Sequence, residues 1–142
     1  MDGFRIFPVR HIGHTWAINE ALIEIILPEH INFCYVVTGI YVVSHAVWNG
    51  FRAPENGIIR IADTFLFDGF ASVILPTLLT SSVYRLSRRA FQGIAPRTFS
   101  VYFSTGLTML ALFSLCDYID EFVDSILDVT VRTAMAVTET VV

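Results

Sequence analysis

The sequence predicts an all-α fold: an integral membrane bundle of about three transmembrane helices, with an amphipathic helix at each end. Three observations carry this. Residues 31–48 and 99–116 are runs of 18 residues without a formal charge. As helices at about 1.5 Å per residue each reaches about 27 Å, close to the thickness of a bilayer's hydrocarbon core. Between Phe65 and Leu79 the only polar side chains are Asp68, Ser72 and Thr77, so no polar stripe marks a water-facing side. Charged residues make up 15% of the 142-residue chain, against about 25% in an average soluble domain.

Residues 1–14 read as a mixed arm holding Arg5, Arg10, His11 and His14. Pro8 disfavours helix before it, Gly13 reads as a break, and Thr15 as an N-cap. No apolar run of signal-peptide length occurs there, so no secretory leader is expected. From Trp16 to Leu27 the apolar positions 18, 21, 22, 25 and 26 recur at helical spacing, with Glu20 and Glu24 on another face. An amphipathic helix over 15–27 follows, stopped by Pro28. It is too short to cross a membrane and either lies at the interface or packs on the bundle.

The first span is 31–48, with Tyr35, Tyr41 and Trp48 suited to an aromatic belt. Residues 49–60 form a loop punctuated by Gly50, Pro54 and Gly57. The second span, 61–84, carries the intramembrane polar set Asp63, Asp68 and Pro76; the proline should kink it. A basic connector, 85–98, leads to the third span, 99–116. Residues 117–136 then read as an acidic amphipathic helix, with Asp117, Asp120, Asp124 and Asp128 on one face. The whole chain is one domain.

Net charge is −4, but the signs are segregated: residues 84–97 hold four arginines and no acid, and lysine is absent. A basic nucleic-acid footprint is missing. With three crossings, the arginines of the arm and the connector outnumber those on the other side. That favours an N-terminus inside and a C-terminus outside.

Asp68 is the sharpest single residue. A charged Asp at mid-span costs about 2.5–3.5 kcal/mol on insertion scales, so it needs a partner inside the protein. Arg85, Arg88, Arg89 and Arg97 form a juxtamembrane cluster suited to anionic head groups. The aspartate stripe is either a solvated face or a contact for a basic partner. His11 and His14, three residues apart, would clip a metal if helical, but Gly13 between them argues for loop. His45 lacks a second mid-span histidine for haem. Cys34 and Cys116 read as buried thiols, with an inter-helix disulfide as the alternative. No catalytic motif, metal site or cofactor is expected.

Three segments together resemble the mitochondrial fission process protein 1 family, also called mitochondrial 18 kDa protein. They are Arg10-His-Ile-Gly13 with Glu20-Ala21; Asp63-Thr64-Phe65 with Ala71-Ser72-Val73 and Pro76; and Ile119-Asp120, Val123-Asp124, Leu127-Asp128 with Arg132. Asp68 and the absence of lysine depart from the family pattern. The resemblance implies a non-catalytic, multi-pass protein of the inner mitochondrial membrane, linked to membrane integrity and fission. Its N-terminus would be in the matrix, its C-terminus in the intermembrane space, and its lipid partner cardiolipin. The alternative is an accessory subunit of a larger hetero-oligomeric assembly, such as a respiratory complex or ATP synthase.

Overall fold

Hydrophobic runs this long, unbroken by turn residues, form helices because each helix satisfies its own backbone. The computed structural model describes residues 9–53 and 55–134, except the side chain of Pro28, and within them every regular element is helical. A short arm comes first, α1 (Val9–Gly13) and α2 (Thr15–Leu22), followed by α3 (Pro28–Phe51). The middle helix is a composite of α4 (Gly57–Asp68), a π-helical segment π1 (Gly69–Ile74) and α5 (Leu75–Phe91). The last is α6 (Arg97–Leu127), ending in a second π segment, π2 (Asp128–Arg132).

The three long helices run antiparallel in chain order. Gly50 of α3 lies against Gly57 and Ile61 of α4, so the first hairpin closes through a glycine pair with no room for a Cβ at Gly50. The second hairpin turns at Gly93, whose φ of +84° favours glycine. Phe91, Phe99 and Phe103 clamp it, with ring centroids 4.8–6.2 Å apart. Phe67 and Ala71 pack against Val123 and Leu127, joining the middle helix to the last.

The arm is where the sequence expectation changes most. Among the described residues helix is present from Val9 and resumes at Thr15, whose hydroxyl bonds the Ile12 carbonyl instead of capping. It stops at Leu22, not 27. The arm inserts between the long helices: Ala17, Asn19 and Ala21 are buried, and the Trp16 N–H donates to Thr38 Oγ1 at 2.9 Å. The Thr105 hydroxyl donates to the Ala21 carbonyl. Of the two placements expected for this segment, the described residues adopt packing on the bundle. Gly13 is a break, since α1 ends there and α2 starts at Thr15, and it is a spacer as well. A Cβ there would stand 2.6 Å from the Tyr41 ring and 3.0 Å from Ser72 Oγ.

Two other boundaries move. The helix expected over 117–136 does not begin anew at 117 but continues α6, since no Gly or Pro interrupts the chain there. The expected kink at Pro76 appears as π1. A proline lacks the N–H that would bind the carbonyl four residues back and crowds it. The wider π turn just upstream relieves that crowding, and Pro76 opens α5 fully buried. Two helices, Glu29–Phe51 and Arg97–Arg132, are long and apolar enough to cross a membrane by length and composition.

These packing distances set a paired prediction. Gly13→Ala should destabilise the protein by about 1–3 kcal/mol, as overpacking does. Gly39→Ala, with no atom within 4 Å of the added Cβ, should be neutral or stabilising by up to about 1 kcal/mol through helix propensity. Thermal unfolding of the two variants in the same detergent checks the contrast.

Candidate functional site

Among the described residues, fifteen polar or charged side chains and thirteen apolar ones are buried. A buried charge is tolerable only when paired and hydrogen-bonded, so the interior is best followed through its pairings.

Arg10 is the centre. It is 4% exposed. Its Nε donates to Asp120 Oδ2 at 2.7 Å, and Nη2 makes a second, shorter bond to Asp120 Oδ1. Nη1 donates to Ser72 Oγ at 2.5 Å and lies 3.8 Å from Asp68 Oδ1. The guanidinium also sits over the Phe67 ring, 5.7 Å from its centroid. One side chain therefore ties the arm to α6, π1 and α4. Burial on its own would lower the Arg10 pKa, but the bond to Asp120, the charge of Asp120 and the contacts with Tyr41 together outweigh it, and the group stays charged.

Asp68, fully buried, has a second partner. His45 Nδ1 is 2.6 Å from Asp68 Oδ2, and Asn49 Nδ2 is 3.1 Å from His45 Nε2. Asn49 also donates to Thr64 Oγ1 at 3.3 Å. A carboxylate accepts and an amide nitrogen donates, so this order matches His45 as the tautomer with its proton on Nδ1. Both ring nitrogens are engaged, which leaves neither to ligate haem.

The other polar residue of the second span, Asp63, meets Arg132 through paired bonds of 2.7 and 3.1 Å. Arg132 also bonds Asp124 at 3.0 Å and Asp128 at 2.6 Å. Three members of the aspartate stripe thus face arginines of this chain: Asp120 meets Arg10, and Asp124 and Asp128 meet Arg132. Asp117 is exposed.

The connector arginines are arranged differently. Arg88 bonds Ser100 at 2.9 Å and lies 3.5 Å from Glu24, bracing the second hairpin. Arg85 and Arg89 line one groove of about 330 Å³ with Ser82 and Leu86. Arg88, Arg89 and Arg97 line another of about 300 Å³ that includes Gly93 and Ser100. The structure thus groups all four arginines around two adjoining concavities at one end of the bundle.

A third cluster has no counterpart in the expected sites. His11, half-buried, and His14 and Cys116, buried, converge with one ligand atom of each within 4.8 Å of the others. His14 Nε2 is 2.8 Å from Cys116 Sγ, and the His11 ring meets Phe113 edge-on at 5.1 Å. Burial, and then the charges of Arg10 and His11, push the His14 pKa down to about 3, with the Ser72 backbone opposing weakly. His14 is therefore a neutral imidazole. Both cysteines are free thiols, so the inter-helix disulfide is not formed.

Sequence spacing flagged Asp68 and Asp63 but gave Arg10 and Arg132 only topological and family meaning. It had no signal for the approach of Cys116, about a hundred positions away, to His14. The i, i+3 spacing of the two histidines was the one local clue. No known protein-family model matches the chain, and no solved structure matches it.

Removing the charge that organises this interior should be costly. Arg10→Gln leaves Asp120 and Asp68 without their cation and should destabilise by about 3–5 kcal/mol. Asp68→Asn keeps an acceptor for His45 and should cost less than half as much. Denaturation of each variant, with a double-mutant cycle between Arg10 and Asp120, measures both effects.

Proposed function

We propose that this chain is a non-catalytic membrane protein that crosses the bilayer three times and organises the inner mitochondrial membrane through lipid and protein contacts. The observation that carries the reading is the polarity of the bundle. Its charges pair in the interior, while Phe33, Val36, Ile40, Leu78, Leu110 and Phe122 point outward. Contiguous apolar surface on that scale marks membrane or partner contact. The windows that pass as spans are 28% and 39% buried, which argues against core helices of a water-soluble domain.

The third crossing is the middle helix. Its two acids are paired inside the protein, Asp68 with His45 and Arg10, and Asp63 with Arg132. That is the condition for carrying acids through hydrocarbon. The mitochondrial address and the fission role rest on the family resemblance of residues 10–132.

Orientation follows the flanking arginines. Arg10 is buried and drops out of that comparison. Arg85, Arg88, Arg89 and Arg97 then face Arg52, Arg60 and Arg132 across the bundle, and Arg132 is saturated by carboxylates. The connector belongs on the matrix side, and the end of the bundle at Arg132 in the intermembrane space. Arg5 lies outside the described residues. On the matrix side the two arginine grooves suit the paired phosphates of cardiolipin, at about 1 kcal/mol per arginine near the surface.

A second reading, an accessory subunit of a larger inner-membrane assembly, is favoured by one feature. Asp63, Asp124 and Asp128 surround the single Arg132, and Asp117 is exposed about three turns earlier on α6. This acidic end suits a basic partner.

Three experiments test the proposal. Native electrophoresis of detergent-solubilised mitochondria separates the readings: a small free species supports the organiser, and stoichiometric migration with a large complex supports the subunit. A tag after the last residue should be cleaved by protease added to mitoplasts; protection there would reverse the topology. For the lipid, Arg85→Gln with Arg89→Gln and Arg97→Gln should weaken binding of added cardiolipin to the detergent-solubilised protein by roughly 100-fold, at about 1 kcal/mol per charge. Binding of phosphatidylcholine should be unchanged.

A further inference from the structure

His11 and His14 sit one helical turn apart, on the arm that inserts beside α6. The Gly13 between them lets the arm approach Tyr41 and Ser72 closely enough to bring both rings to Cys116. We propose that His11, His14 and Cys116 form a binding site for one soft d10 metal ion, copper(I) or zinc(II).

The donor chemistry and the spacing both point there. Two imidazoles and a thiolate are the ligands that copper(I) and zinc(II) prefer. With metal–nitrogen bonds of about 2.0–2.1 Å and metal–sulfur bonds of about 2.3 Å, two ligands on one ion stand about 3–4.4 Å apart. The three donor atoms lie within 4.8 Å of one another, with His14 Nε2 and Cys116 Sγ at 2.8 Å. Small side-chain rotations therefore reach coordination distance without moving a helix. A thiol-to-imidazole hydrogen bond accounts for the closest pair but not for the convergence of His11 on it.

The surroundings agree. His14 is fully buried, and its Nδ1 makes no regular hydrogen bond within the protein. Ligation at Nε2 leaves the proton on Nδ1. His11, half-buried, is the least enclosed of the three ligands.

Charge ranks the two ions. Binding releases the Cys116 proton to the medium. Copper(I) with one thiolate and two neutral imidazoles is then uncharged overall, whereas zinc(II) leaves one positive charge beside the Arg10 guanidinium. Zinc also wants a fourth ligand, and only three donors converge here among the described residues. Copper(I) should bind more tightly.

The test uses the full chain purified in detergent. Copper(I) is titrated anaerobically against a chromophoric competitor, and zinc(II) against a chromophoric chelator. One equivalent of copper(I) is expected, with sulfur and nitrogen scatterers in X-ray absorption. Cys116→Ser should weaken binding at least about 100-fold, since even outer-shell partners are worth about 10–100-fold. His14→Gln and His11→Gln should each weaken it at least about tenfold, and Cys34→Ser should change nothing. Circular dichroism confirms that each variant is folded; His11→Gln, at the least buried ligand, keeps the test open if the others are not. Stoichiometric zinc binding with the same residue dependence also supports the site and assigns it to zinc. Failure to bind either ion at one equivalent, or binding that Cys116→Ser and His14→Gln leave intact, overturns it.

Discussion

The structure depends on one guanidinium. Arg10 is always charged and brings five donors in a planar fork, and it reaches Asp120, Ser72 and Asp68 from the end of a short helix. Without it two carboxylates on different helices would face each other across the interior. With it the arm, the middle helix and the last helix converge on a common point. The arm has little else to hold it there. Its eight-residue second helix is far below the length that is stable alone, and its buried apolar side chains are chiefly alanines. Charge pairing and close packing, not apolar area, put it inside.

Close packing has its own requirement, which Gly13 and π1 meet together. The arm approaches Ser72 at the widened turn that Pro76 calls for. A regular helix there would present its side chains at another angle, and a residue larger than glycine at 13 would keep the arm away from Tyr41. The proline is therefore tied to the ion pairs: it sets the local geometry at Ser72, which accepts from Arg10.

These dependencies decide what was legible in the sequence. The apolar runs, the all-helical class and the need of Asp68 for a partner follow from periodicity and desolvation, and both are local. His45 as that partner was not legible, because it stands 23 positions away and apolar helices pack in many registers. The four-residue spacing of Asp120, Asp124 and Asp128 showed that they share a face. Which way that face points was decided by Arg10, Asp63 and Arg132, outside the segment's own pattern. Gly13 was half legible. Glycine weakens helices, and α1 does end there, but the contact that demands its missing Cβ lies on other helices. The three-residue spacing of His11 and His14 was visible, but its meaning hung on that glycine.

An interior this polar makes sense if lipid is the surrounding solvent. In a bilayer, apolar surface gains little by leaving hydrocarbon, so helices associate through packing and polar contacts. Paired charges then do what a leucine core does in water, with a difference. A hydrophobic core tolerates many registers, whereas Arg10 satisfies Asp120, Ser72 and Asp68 in one. The cost of any other register is an unpaired buried charge. Such an interior specifies its own alignment tightly, while many large apolar side chains stand on the outer surface. The arginine grooves and the acidic cluster at Arg132 stand at the two ends, which therefore differ in charge.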